Sequence, residues 1–503
     1  MARNYGLDMY NQLEELMKKM DKMLIEIANL KMELKIAKEE IIKKDNNISE
    51  LNEKLARAVE TINELQDKLD KEKSKNNKNS SNSSKPPSTD ITSKKREEKT
   101  GANQYNFRTK SNKKIGGQFF HKGQTYTKER LEKDIREKNI KVKEIKLFIK
   151  GNSKKESIVK YKIGIKIEPI VYKYIFIYSE KAKEKLPKEF QSDVTYDNSI
   201  KTLSINLDTI NVVSLNRQEE FFKAITNDFL QIGNGTLVNF KKEFSMKAQP
   251  TLLNIENQLL SKPTMLTDET SAKFNGKNIF ARNYSNNESV LYKVNKNKGH
   301  QPIIKDNILP RYLGGIMADH DTTIYKYGTD RYECNIHTGR YLKEIIELVP
   351  DVLWPQKMLD LLFRINNTRK LAMSFGCDNF AKEKIDEYIF EYESILELAL
   401  QENKNIFSKT YRGKAEKLRK RLLKYQHNHL AFISNFKVPF DNNLSESDLR
   451  IFKTKTKVSG GFRNMNVAQC FADSLSIVRT AKKRKINQTD AIYDIFSGKV
   501  LFA

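Results

Sequence analysis

The chain has 503 residues, and its 91 lysines and arginines outnumber its 64 acidic residues, which gives a net charge of +27. That length exceeds one ordinary domain and predicts two or three modules. The positive charge favours a polyanionic partner such as nucleic acid, although a lysine-rich composition can also reflect the base composition of a genome. Three widely spaced cysteines argue against a disulfide framework and indicate a reducing compartment.

The sequence predicts neither a signal peptide nor a membrane span. The N-terminus lacks an apolar core, and Lys173 interrupts the most apolar stretch, at residues 169–178. We therefore expect a soluble, cytoplasmic protein with no membrane partner.

The first 75 residues carry a seven-residue apolar repeat. The first apolar position of each heptad (a) is filled in unbroken register by Leu13, Met20, Ile27, Leu34, Ile41, Ile48, Leu55, Ile62 and Leu69. A second apolar residue usually follows three positions later (d), with Ala37, Lys44 and Ala58 as weak points. The pattern predicts a coiled coil at residues 1–75 that joins copies of the chain. The alternative is a single amphipathic helix packed on the body of the protein.

Two segments of different composition follow the repeat. Residues 76–112 are polar and basic, which predicts a flexible linker whose lysines either lie along DNA or only keep the tether soluble. Residues 113–245 are expected to form a DNA-binding region. Alternating runs within residues 141–178 predict strands of a small β-rich unit. Residues 216–244 resemble a helix-turn-helix, although two helices joined by a glycine turn also occur in proteins that bind no DNA.

Residues 246–503 predict an α/β domain of the RNase H type. The segments TMLTDETSA, KNIFARNYS and ESVLYKVN are typical of three strands, HQPIIKDNILPRY of a helix, and GGIMADH of a fourth strand that ends at Asp319. A mostly helical insertion is expected at about residues 341–435. The segment PFDNNLSESDLRIF then begins another helix, which carries Glu446.

Three carboxylates in this domain are candidates for one metal site. In-line cleavage of a phosphodiester uses two divalent cations about 3.5–4 Å apart, and such cations prefer oxygen ligands. Asp268 on the first strand, Asp319 at the end of the fourth and Glu446 on the later helix are expected to converge. Taken singly, each has a structural explanation, such as a capping box between Asn443 and Glu446. Their joint placement favours the metal site.

A basic turn follows Glu446. Four cations lie near two consecutive glycines: Lys453, Lys455, Lys457 and Arg463. Glycine lets a backbone approach closely, so the segment favours contact with DNA phosphates over a merely solvated turn. Arg450, one helical turn after Glu446, is placed to pair with that carboxylate.

Several motifs, in this order, resemble transposases of the insertion-sequence-66 type. They are NSSNSSKPPS at residues 79–88, GGQ-x-x-HKGQT at 116–125, DET at 268–270, ECNIHTGRYLK at 333–343, and PFDNNLSESDLR followed by KTKTKVSGGFR. The resemblance implies that Asp268, Asp319 and Glu446 form a DDE triad that holds two Mg²⁺ or Mn²⁺ ions. Cys334 and His337 match a C-x-x-H motif that is expected to shape the active site more than to hold metal, because zinc normally needs four ligands.

The sequence departs from the family at one point. Relatives carry Cys-x-x-Cys pairs between the HKG motif and the catalytic domain, whereas no cysteine precedes Cys334 here. We therefore expect no zinc in the N-terminal half.

The residues and the resemblance together predict a DNA transposase. Such an enzyme binds the terminal inverted repeats of its element, cleaves at the 3′ ends and joins them to target DNA, and the resemblance suggests small accessory proteins. One alternative is a catalytically inactive or domesticated DNA-binding derivative. Another is a coiled-coil scaffold with incidental charge, which would leave the placement of the carboxylates unexplained.

Overall fold

The computed structural model describes residues 2–78, 82, 128–137, 142–145, 161, 163, 167–176, 190 and 192–503. The expected linker therefore lies almost entirely outside the described residues, as do the motifs at 79–88 and 116–125. The described helices are α1 (Ala2–Asn76), α2 (Lys128–Glu137), α3 (Asn198–Thr209), α4 (Leu215–Ile225), α5 (Asn234–Ser261), α6 (His300–Asp306), α7 (Asn335–Leu348), α8 (Trp354–Ser374), α9 (Lys382–Lys404), α10 (Lys409–Lys424), α11 (Gln426–Ser434), α12 (Asn443–Ser459), α13 (Met465–Lys483) and α14 (Gln488–Phe496). None of them combines the length and apolarity that a membrane span requires.

The heptad segment forms one continuous helix, α1, of 75 residues. All nine a positions are exposed, with Ile27 the least exposed at 46%. Within the described part of the chain, the last turns of α1 meet the body of the protein, where Lys414 of α10 donates a hydrogen bond to Ser74. The apolar seam therefore does not pack on the described body of the protein, and its length and pattern fit a coiled coil.

The β-rich unit expected before residue 178 is not found in the part of that region that the structure describes. Residues 142–145 and 167–176 contain no strand. A strand needs a hydrogen-bonded neighbour, and here Ile170, Val171 and Ile175 are 69%, 75% and 74% exposed. The rest of residues 141–178 lies outside the described residues, so the β-rich unit as a whole stays a prediction.

The expected helix-turn-helix corresponds to α4 and α5, but α5 continues through the domain boundary expected at residue 245. Its buried residues Phe244, Ala248 and Leu252 recur at four-residue spacing and join the core beneath the sheet. The second half of α5 is therefore part of the α/β domain.

The sheet contains five strands in the order β3-β2-β1-β4-β5. Their bounds are β1 (Thr264–Phe274), β2 (Lys277–Ser285), β3 (Val290–Asn295), β4 (Gly315–Ala318) and β5 (Arg331–Glu333). The first three strands are antiparallel to one another, whereas β4 is parallel to β1 and β5 to β4. The predicted order of three strands, a helix and a fourth strand is confirmed, with α6 between β3 and β4. Parallel β1 and β4 end at the same edge, where polar residues can meet.

Helix α13 covers the edge of the sheet at β3. The backbone N–H groups of Val290, Tyr292 and Val294 point outward and donate to side chains of α13. The acceptors are Thr480 Oγ1 at 3.1 Å, Ser476 Oγ at 3.0 Å and Gln469 Oε1 at 3.0 Å. These bonds satisfy an otherwise open strand edge and fix the N-terminal end of α13 beside the end of β3.

Helices α7 to α11 lie between β5 and α12, where the helical insertion is expected. They share a core around Trp354, whose indole nitrogen donates to Asn403 Oδ1 at 3.0 Å. Leu266 of β1 and Met317 of β4 belong to the same core. The insertion is therefore packed directly on the strands that carry the two candidate aspartates.

Candidate active site

Asp268 and Asp319 occupy equivalent positions on neighbouring parallel strands. Leu266 of β1 pairs with Met317 of β4, and each aspartate lies two residues further along its chain. Neighbouring strands lie about 4.8 Å apart, so this register places the two carboxylates side by side. Both line one cavity of about 490 Å³.

Glu446 approaches Asp319 from the first turn of α12. Its Oε1 lies 3.6 Å from His337 Nδ1, and the same ring nitrogen contacts Asp319 Oδ1. Donor atoms of Asp319, Cys334, His337 and Glu446 all lie within 4.8 Å of one another. The structure therefore brings together residues from the end of β4, the start of α7 and α12, whereas Asp268 is not one of these four and adjoins Asp319 through the shared cavity.

The capping-box explanation for Glu446 does not fit the structure. The residue that caps α12 is Asn442 rather than Asn443, and its side chain makes no capping hydrogen bond. Glu446 is the fourth residue of the helix, and the basic side chains near its carboxylate are His337 and Arg340 of α7, with Arg340 at 3.8 Å. No contact between Glu446 and Arg450 occurs among the described ion pairs.

A buried asparagine connects the first aspartate to the helix that carries Glu446. Asn283 of β2 accepts a hydrogen bond at 3.0 Å from the backbone N–H of Asp268 and one at 2.7 Å from Ser445 Oγ. Its amide group donates to the carbonyl of Ser445 at 3.0 Å. Sequence reasoning missed this residue, although asparagine is uncommon inside strands and its position in β2 was a usable signal.

Asn442 provides a second link of the same kind. Its side chain donates to the carbonyl of Thr267 at 2.9 Å, and its backbone N–H donates to Cys334 Sγ at 3.3 Å. Thr267 precedes Asp268, so the loop before α12 is tied both to β1 and to the C-x-x-H motif. These contacts fix the position at which α12 begins, and therefore the position of Glu446 in its first turn.

The contact with Arg340 fixes the orientation of His337. Arg340 donates to His337 Nε2 at 2.7 Å, and a guanidinium has no acceptor, so the ring hydrogen is on Nδ1. That side of the ring faces Asp319 and Glu446. A metal bound at Nδ1 would require this hydrogen to move and the Arg340 contact to break. The arrangement favours the carboxylates as ligands, with His337 as their support.

The electrostatics of the site fit a divalent cation. Asp319 Oδ1 and Glu446 Oε1 are buried and both face one ring nitrogen of His337, whose single hydrogen cannot serve both. Burial, followed by the charges of Asp319 and Glu446, raises the pKa of Asp268 from 3.8 to about 7. Converging buried carboxylates that share one donor are costly unless a proton or a cation neutralises them.

The raised pKa of Asp268 predicts competition between protons and metal. Below pH 7 a cation must displace the proton, so the apparent affinity for Mn²⁺ should rise by about tenfold per pH unit and level off above that value. The metal-free fold should lose stability as pH rises from about 4 to 7, because the folded pKa exceeds the unfolded one. Calorimetric titration with Mn²⁺ across this range measures the affinity, and Asp268→Asn should abolish its pH dependence.

Lys455 is not placed to contact DNA, contrary to the sequence prediction. It is buried and its ammonium pairs with Asp208 of α3 at 2.7 Å, beside Lys241 of α5. Lys453, Lys457 and Arg463 are exposed, as expected of a binding surface. Because α12 rises about 1.5 Å per residue, Lys457 lies about 16 Å along the helix from Glu446.

The two glycines of the basic turn also have a structural explanation. Gly460 ends α12 in the left-handed conformation at φ 68°. Gly461, at φ 113°, lies against β1, where an added Cβ would be 2.8 Å from the carbonyl oxygen of Lys273. Close approach to the strand therefore accounts for Gly461 without a phosphate.

The fold and the site define an α/β protein with a candidate divalent-cation centre at the edge of a mixed sheet. The sequence profile described as "Transposase IS66 family" matches residues 195–470, more than half of the chain, and this range contains all three carboxylates. The chain belongs to this transposase family. No curated protein matches it. Transposases act on DNA, which agrees with the net charge of +27.

Proposed function

We propose that this chain is a DDE-type DNA transposase that cleaves the ends of an insertion sequence and transfers them to target DNA. The convergence of Asp268, Asp319 and Glu446 carries the proposal. Asp268 and Asp319 are aligned by the register of β1 and β4, and Glu446 meets Asp319 across His337. The order and directions of the five strands support an RNase H-like fold for this domain.

In this proposal the three carboxylates hold two Mg²⁺ or Mn²⁺ ions. When bound, such ions activate the attacking oxygen and stabilise the leaving oxygen of an in-line displacement. The chain's own residues orient the ligands: Asn283 holds the backbone at Asp268, and Arg340 turns the Nδ1 side of His337 toward the other two carboxylates. The cavity of about 490 Å³ beside Asp268 and Asp319 gives the scissile strand access.

A plasmid assay tests the proposal directly. Purified protein should nick and join supercoiled plasmid that carries the DNA flanking the gene on both sides, and only when Mg²⁺ or Mn²⁺ is present. A plasmid of equal length without those flanks is the control. Tight binding of the flanks without any cleavage would instead support an inactive, DNA-binding derivative.

The four cations of the basic turn should separate into residues that contact DNA and a residue that stabilises the fold. We expect the double variant Lys453→Gln/Arg463→Gln to bind DNA with a weaker salt dependence. The magnitude of the slope of log binding constant against log salt concentration should fall by about 1.8, since each phosphate contact contributes about 0.9. Lys455→Met should leave the slope unchanged and instead cost about 1–3 kcal/mol of unfolding free energy, because it removes one of the two lysines that pair with buried Asp208. Binding at several salt concentrations and denaturant unfolding are the measurements. Equal slopes for the wild type and the double variant would place the contacts elsewhere.

A further inference from the structure

A polar groove adjoins the candidate catalytic cavity. Lys298 and Gly299 line the catalytic cavity on one side. The two residues before them, Lys296 and Asn297, line a second cavity of about 660 Å³. The segment between β3 and α6 is therefore a shared wall, and a chain-like ligand leaving the catalytic cavity would cross it into the groove.

The groove has the chemistry of an anion-binding surface. No acidic residue lines it, whereas Lys296, Lys305, Asn297, Gln301 and Asn466 are all exposed along it. Lysine and amide side chains are common donors to phosphate oxygens.

Two nearby carboxylates, Asp306 and Asp473, line an adjoining cavity that shares Lys305 and Asn466 with the groove, but both are hydrogen-bonded within the protein. Asp306 accepts hydrogen bonds from Tyr284 at 2.8 Å and from Asn295 at 2.9 Å. Asp473 accepts a hydrogen bond from Gln469 at 2.7 Å and a second one from Ser245. These hydrogen bonds stabilise the two carboxylates within the protein and lessen their repulsion of an anion in the groove.

The far end of the groove continues toward the basic turn. Met465 and Asn466 line the groove and begin α13, a helix of 19 residues, and exposed Arg463 lies two residues before Met465. A helix N-terminus adds a favourable field for an anion. The groove thus lies between the catalytic cavity and Arg463.

We propose that this groove, which we call the Lys296 groove, binds the phosphodiester backbone of the DNA strand that enters the catalytic cavity. The identity of that strand rests on the proposed transposase function. Lys296 and Lys305 supply the charge, Asn297, Gln301 and Asn466 supply neutral donors, and Arg463 extends the contact. The groove holds the strand in register with Asp268 and Asp319 and contributes no ligand to the metal site.

A salt titration without divalent metal tests the groove. The probe is a DNA duplex of arbitrary sequence with a single-stranded 3′ extension. Lys296→Gln/Lys305→Gln should lower the salt slope of binding by about 1.4, because a contact to single-stranded DNA contributes about 0.7. The matched control is Lys382→Gln/Lys404→Gln, two exposed lysines at the ends of α9, and should leave the slope unchanged. A slope that falls only in the control, or in neither variant, would overturn the proposal.

Disulfide trapping locates the strand independently. Cys334 and Cys470 are buried and Cys377 is exposed, so a Cys377→Ser background leaves no exposed native thiol among the described residues. Asn297→Cys in this background should trap a DNA extension that carries an activated disulfide tethered to one phosphate, because the cysteine thiolate displaces the leaving thiol and forms the mixed disulfide. Lys382→Cys is the control at an exposed site. Equal trapping at both positions would contradict the proposed path.

These measurements separate the groove from the proposed function. Both record binding without cleavage. A protein that cleaves no plasmid yet shows the expected slope change and trapping would retain the groove and lose the transposase activity. A protein that cleaves plasmid but shows neither effect would retain the activity and lose the groove.

Discussion

Asp268→Asn, Asp319→Asn and Glu446→Gln should each reduce DNA cleavage by more than about a thousandfold while DNA binding persists. The amide keeps the shape of the side chain but supplies no charge to adjacent cations. Loss of a single transition-state hydrogen-bond donor already costs about 10²–10³ in rate, and a charged metal ligand contributes more. Cleavage and strand transfer on labelled element ends, beside gel shifts of the same variants, are the measurements.

Two controls make that result specific. Asp330→Asn removes an exposed carboxylate next to β5 and should retain cleavage. Glu446→Gln should keep the melting temperature of the wild type, since no capping hydrogen bond is present in α12. Normal cleavage together with a loss of about 0.5–2 kcal/mol in Glu446→Gln would restore the capping explanation. Wild-type activity in any folded triad variant removes that residue from the site.

The strands that carry the site could be predicted because local features of their sequences indicate strands. The fourth candidate strand is a short apolar run that follows two glycines, and Asp319 comes directly after it. The pairing of Leu266 with Met317 could not be predicted from periodicity, because it depends on a parallel contact between segments about 50 residues apart. Resemblance to a family supplied the grouping of the three carboxylates, and the register supplies its physical reason.

The prediction that Lys455 contacts DNA was wrong because it rested on the composition of the segment alone. Lys453, Lys455 and Lys457 are equivalent as a basic run, but helical spacing puts Lys455 on the same face as buried Phe452 and Asp448. That spacing was visible in the sequence. The partner, Asp208, is 247 residues away in the chain, so the buried ion pair itself could not be predicted from the sequence.

The polar links around the site could not be predicted at all. Asn283 joins β2 to α12, and Asn442 joins the loop before α12 to β1 and Cys334. Each contact needs two or three elements in place before the partners meet. An isolated asparagine carries no information about them beyond its unusual position in a strand or loop.

Removal of the α1 seam should lower the number of subunits in the assembly. Nine exposed a positions on a helix about 112 Å long leave an apolar surface that a second helix would bury. Deletion should stop at residue 62, because Asp70 is buried and Ser74 accepts a hydrogen bond from Lys414 of the body. Light scattering of the full-length and truncated proteins measures the change in mass.

Point variants distinguish the effect of the apolar a positions from that of the rest of α1. Ile27→Asp/Leu34→Asp places charges at two a positions and should give the mass of a single chain. Ile25→Asp/Met32→Asp changes two residues that are also exposed, 63% and 67%, but that lie at the outer f position of the heptad, and should leave the assembly intact. If pairing of two element ends requires the coiled coil, the a-position variant should also lose strand transfer more strongly than single-end nicking, since nicking needs one active site and transfer needs two ends held together. Equal subunit numbers for the wild type and the a-position variant would show that other surfaces hold the assembly, and α1 would then have to act as an extended tether.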